Sequence, residues 1–134
     1  MAKTDTKQSE LTVITKAKDL CSYVMTITQK SPKHFRYTFV TRMQNLALDI
    51  IENLFLANDT FVAKGDLAAM NDRKRYQAKA MTSLRLLGYF SLLASEQQCI
   101  LLKQYEQIAR LSTDCRNLLG AWINSDKRRF SNPS

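Results

Sequence analysis

Five cations uninterrupted by an acid, Arg73, Lys74, Arg75, Lys79 and Arg85, form the longest such run in the sequence. Arg75 and Lys79 are four apart, so they share one face of any helix that contains them, and like charges there repel unless something negative lies across them. A phosphate backbone is such a group. Lys33, Arg36 and Arg42, with Lys30 and His34, lie in a second acid-free stretch, which reads either as an ordinary polar loop or as a phosphate-contacting corner. With 20 Lys and Arg against 12 Asp and Glu, the formal charge is +8. Clustering of that excess favours a polyanionic partner over mere solubility. The expected partner is nucleic acid, RNA with DNA as a further candidate, held at Lys33, Arg36, Arg42, Arg73, Lys74, Arg75, Lys79 and Arg85.

Other chemistries find few residues to use. His34 is the only histidine, so a multi-histidine metal site and the paired Glu-x-x-His motifs of a di-iron bundle are both excluded. No flanking motif supports a Ser-His or Cys-His nucleophile, and neither glycine-rich phosphate loop is present. Cys21, Cys99 and Cys115 are an odd set without C-x-x-C spacing, which reads as reduced core thiols rather than a disulfide framework or zinc site. Asp49 and Glu52 read as a solvated face rather than a general-acid pair. The expectation is a protein that is not an enzyme and needs no cofactor or metal.

The elements that must carry these cations are helical. A chain of 134 residues with 45% hydrophobic content, three glycines and two prolines is expected to form one all-α domain. Ser9 can cap a first helix carrying Leu11, Ile14, Ala17, Cys21, Val24 and Thr28 at three- and four-residue steps, ended by Pro32. A second helix, from about Thr38 to about Asn58, buries Phe39, Met43, Leu46, Ala47, Ile50, Ile51, Leu54 and Ala57. Gly65 and Asp66 give stop and start signals before a third helix, from Leu67 to about Ala94. Its core stripe reads Gln77, Ala80, Met81, Leu84, Leu87, Gly88 and Ser91. Ser95 and Gln98 have capping-box spacing, so the fourth helix begins after Ser95 or near Ile100, with Leu101, Tyr105, Ile108, Ser112, Cys115, Leu119, Trp122 and Ile123 inward.

Short connectors favour antiparallel neighbours, hence an up-down-up-down four-helix bundle over residues 9–125. Residues 1–8 are expected to be a disordered tail and 126–134 a flexible basic one. Leu48 and Phe55 on helix 2, and Leu86, Phe90 and Leu93 on helix 3, fall outside the core stripes. These apolar residues point to an oligomer interface. No apolar run reaches the roughly 18 residues that span a bilayer. The polar start also lacks the apolar segment of a signal peptide, so a cytoplasmic protein without a membrane partner is expected.

Three features together resemble a known family. They are Pro32-Lys33-His34 before helix 2, the run Tyr76-x-Ala78-x-Ala80-x-x-x-Leu84-Arg85, and Leu118-Leu119-Gly120-Ala121-Trp122-Ile123 followed by basic residues. In that order they resemble the accessory variability determinant of diversity-generating retroelements and its relatives, the four-helix-bundle proteins encoded by intervening sequences of 23S ribosomal RNA genes. Relatives tend to carry Gly-Arg just before the hydrophobic pair that precedes Gly-x-Trp. Here Arg116-Asn117 stands there, which displaces the arginine by one position, about 100° around a helix. The resemblance implies a ring-like homopentamer that binds nucleic acid and the retroelement's reverse transcriptase during mutagenic copying of a template RNA. Its alternative is a ribosomal-RNA-linked bundle protein of unknown role, with general RNA or DNA binding and no reverse transcriptase partner.

Overall fold

The computed structural model describes the backbone of residues 2–130 and the side chains of residues 12–130. Among the described residues there are four long helices and no strand: α1 (Ala2–Thr28), α2 (Thr41–Asp59), α3 (Leu67–Glu96) and α4 (Leu102–Phe130). None is long and apolar enough to cross a membrane.

Helix α1 starts at Ala2 rather than after Ser9, so most of the expected tail at residues 1–8 is helical. No glycine or proline interrupts residues 2–8, and Ala2, Lys3, Lys7 and Gln8 are good helix formers. At its other end Thr28 Oγ1 donates to the Val24 carbonyl at 2.7 Å, and Pro32, in an extended conformation, stops the helix. Between α1 and α2 lie a 3₁₀ turn, Lys33–Phe35, and a π-helical turn, Arg36–Val40. The Arg36 carbonyl accepts from both the amide and the hydroxyl of Thr41, the wide loop that defines a π turn. The helical path therefore begins before Thr38, but the regular α2 begins after it.

Gly65, at φ +82°, supplies the left-handed residue before α3. Asp66 then caps the helix by accepting from the Ala69 amide at 3.0 Å, as its position predicts. The α3 terminus differs from expectation. Ser95 donates to the Leu92 carbonyl within α3 instead of capping α4. The Cys99 amide reaches back to Ala94 and the Gln98 amide to Ser95, a Schellman closure that puts Gln98 at φ 67°. A glutamine at that φ is strained relative to glycine, so Gln98→Gly should stabilise the bundle by roughly 1 kcal/mol. The denaturant midpoint should rise with unchanged slope.

Helix α4 starts at Leu102, with Gln104 Oε1 accepting from the Leu101 amide at 2.9 Å. It continues to Phe130, through the first half of the segment expected to be flexible; residues 131–134 lie outside the described residues. Helix α1 packs on α2 and α4, α2 on α3, and α3 on α4. They enclose one core whose bulkiest members are Trp122, Leu20, Met43, Ile50, Leu54, Leu84, Leu87, Ile108 and Leu119. Among the inward assignments whose side chains are described, one fails: Leu101 is 56% exposed, whereas Ile14, Phe39, Ile51, Met81, Tyr105 and Ile123 are half-buried against the core, and the side chain of Leu11 lies outside the described residues. Leu101 precedes α4 in the turn, so helical spacing does not govern where it points.

Candidate nucleic-acid interface

The eight cations singled out by sequence do not form one set. Lys33, Arg36, Arg42, Lys74, Arg75, Lys79 and Arg85 are exposed, whereas Arg73 is buried at 6% exposure. Arg73 is therefore removed from the expected phosphate surface. Its Nε donates to Asp126 Oδ2 at 2.7 Å and its Nη2 to Asp126 Oδ1 at 3.1 Å, a bidentate pair between α3 and α4. Gln77 Nε2 and Arg129 Nη2 also donate to the same carboxylate, at 2.8 Å and 3.2 Å. The guanidinium lies 5.0 Å from the Trp122 ring centroid and 5.8 Å from that of Phe130. A buried charge is tolerated only when paired and hydrogen-bonded in this way.

Of the remaining cations, Lys33 and Arg36 lie in the turns before α2, Arg42 in α2, and the other four along α3. Lys74, Arg75 and Lys79 occupy its first turns, and Arg85 lies further on, with Arg42 nearby through its contact on Phe90. At 1.5 Å per residue, Arg75 and Arg85 are separated by about 15 Å along the axis, the reach of several phosphates. The charge on Arg75 is partly compensated by Asp72 at 3.1 Å, a pair whose two side chains are 55% and 50% exposed. Such a solvent-screened pair yields readily to a stronger anion.

The outer face of α3 has a regular construction. Arg75, Lys79, Thr82, Leu86, Tyr89 and Leu93 each stand two residues after a buried residue of the same helix, namely Arg73, Gln77, Ala80, Leu84, Leu87 and Ser91. Two residues turn a helix by about 200°, so this stripe lies almost opposite the core stripe. It is basic at its start and apolar at its end. Leu86 and Tyr89 are exposed; Phe90 and Leu93 are half-buried, Phe90 under the Arg42 guanidinium at 5.6 Å. Leu48 and Phe55, at 49% and 47% exposure, share a flank of α2 with Gln44, whose amide donates to Thr28 of α1. The five residues expected at one interface thus form two patches on different sides of the bundle.

No protein-family model matches this chain, and no curated protein resembles it.

Gly88, Tyr105 and Ser112, which the sequence assigns to core stripes, also stand beside Arg85. An open groove of about 640 Å³ between α3 and α4 is lined by Arg85, Gly88, Tyr89, Tyr105, Ser112 and Arg116, and no acidic residue lines it. Helical periodicity places Ser112 inward, but nothing local in the sequence reveals that small residues on two facing helices leave space above it.

The nucleophile candidates are poorly disposed for chemistry. Burial raises the thiol pKa of Cys21 and Cys99; burial, aided by the Asp114 charge, pushes Cys115 up to about 12. These thiols remain protonated at neutral pH and are weak nucleophiles. His34 is exposed, its ring 4.0 Å from that of Phe35. Among the described residues no cluster of three His, Cys, Asp or Glu side chains could hold a metal ion.

Proposed function

We propose that this protein is a non-enzymatic, nucleic-acid-binding accessory subunit of a diversity-generating retroelement. In this reading it is an up-down-up-down bundle assembled into a homopentameric ring that binds the reverse transcriptase and its template RNA in the cytoplasm. The observation that carries the binding reading is the exposed, acid-poor outer stripe begun by Arg75 and Lys79 and flanked by Lys74 and Arg85. The retroelement and the reverse transcriptase rest on the motif resemblance. Support for antiparallel neighbours comes from α2 and α3: Arg42, early in α2, meets Phe90 late in α3, while Ala57, late in α2, accepts from Arg73 early in α3. The two apolar patches suit a ring, because a head-to-tail interface joins different surfaces of successive subunits.

Neutralising phosphates releases condensed counterions, so affinity for RNA should fall steeply as salt rises. Arg75→Glu with Lys79→Glu should weaken RNA binding by about tenfold or more across unrelated sequences and flatten the salt slope, with helical content intact. Titrations of labelled RNA at several salt concentrations measure both. If affinity and slope stay unchanged, the stripe serves solubility alone. Repeating the measurement with the reverse transcriptase tests the wider reading: a folded variant that retains RNA binding and complementary-DNA synthesis excludes this face as the working surface.

A further inference from the structure

Tyr89 is 60% exposed on the wall of the α3–α4 groove, which makes it available as a stacking face rather than a packing residue. Arg85, one turn before it on α3, and Arg116 on α4 line the same groove, and neither forms an ion pair with a described residue. Arg85 and Tyr89 are about 6 Å apart along the helix axis, a spacing that suits a phosphate and the base it carries. Gly88 forms part of the floor, and a Cβ added there would meet nothing within 4 Å. Ser112 lies at the base of the groove and is 5% exposed.

We propose that the α3–α4 groove is a subsite for single-stranded nucleic acid, in which a base stacks on Tyr89 while Arg85 and Arg116 take the adjoining phosphates. This rests on the nucleic-acid reading above and adds a preference to it. Stacking requires an unpaired base, whereas the outer cations Arg75 and Lys79 attract the backbone of any strand. Aromatic stacking tolerates every base, so the groove discriminates strandedness and not sequence. Charge complementarity decides for nucleic acid over a second copy of the chain, since two free arginines and no carboxylate line the space.

The test compares one mixed-sequence RNA as a single strand and as a duplex. Tyr89→Ala should weaken single-strand binding by roughly 5- to 100-fold and change duplex binding little, while Tyr89→Phe stays close to the parent. Arg116→Gln should weaken single-strand binding several-fold, because it removes one of the two cations of the groove. Arg75→Glu with Lys79→Glu should weaken both RNA forms. If Tyr89→Ala and Arg116→Gln leave single-strand affinity unchanged but the charge reversal weakens it, the groove is overturned and the nucleic-acid reading stands. If all three leave it unchanged, both fall. Equal loss for single strand and duplex on Tyr89→Ala would overturn the strand preference. A shift in particle mass with unaltered RNA affinity would make the groove a contact between copies.

Discussion

Replacing Asp126 with alanine should cost the bundle about 3–5 kcal/mol, the usual penalty for leaving a buried charge without its partner. Domains of this kind are stable by about 5–15 kcal/mol, so the loss is about a fifth of the total or more. The reason lies in how much converges on one carboxylate. Arg73 grips both of its oxygens, Gln77 and Arg129 add further donors, and the two sides of the ion pair are 7% and 5% exposed. Removing the acid strands a guanidinium between Trp122 and Phe130, where water cannot reach it freely. Arg73→Met combined with Asp126→Leu removes both charges together and should recover more than half of the loss. Chemical denaturation of the two variants measures the difference. The same double variant should keep the parent's RNA affinity, since Arg73 does not reach the surface; a loss of binding with the fold intact would return Arg73 to the contact surface.

The second large effect is expected from Leu48→Glu with Phe55→Glu. These residues stand on one flank of α2, away from the α3–α4 groove, where two carboxylates would repel an apolar partner surface without disturbing the core stripe of that helix. Light scattering should show a discrete oligomer for the parent and a monomer for the variant. RNA affinity should fall with it by about 10²- to 10⁴-fold, although no cation is removed, because a ring presents several binding faces to one strand at high effective concentration. A parent that is already monomeric would end the ring reading. An oligomer that survives the two glutamates would place the subunit contact elsewhere, with Phe90 and Leu93 of α3 the next residues to alter.

The helices were legible because their signals are local. Pro32, Gly65 and Asp66 mark boundaries by backbone chemistry that needs no tertiary context, and each acts where its residue type requires. Apolar periodicity likewise found most of the core. Arg73 was misread because charge type outweighed position: it stands four residues before Gln77 on the core stripe, and Asp126 stands four after Trp122 on that of α4. Opposite charges at inward positions of two helices are a readable sign of a buried pair, provided the stripe is extended past its last apolar member. The α3 terminus failed for a different reason. Ser95 and Gln98 match a capping box in type and spacing, but a left-handed Gln98 could be chosen only once the Cys99 and Ile100 side chains had been drawn into the core. The groove beside Tyr89 was invisible because it is made by what two facing helices lack.

The Arg73 guanidinium does more than pair with Asp126. Its Nη1 also donates to the carbonyls of Ala57 and Thr60, each at 3.4 Å, joining the Thr60 amide on the Ala57 carbonyl at the end of α2. One side chain near the start of α3 thus closes the end of α2 and grips the last turns of α4. Helix termini ordinarily fray one at a time, each at small cost. Here the three share one side chain, so opening α3 at Arg73 releases both of the others, and this end of the bundle is coupled in a place where a helical protein would otherwise be loosest.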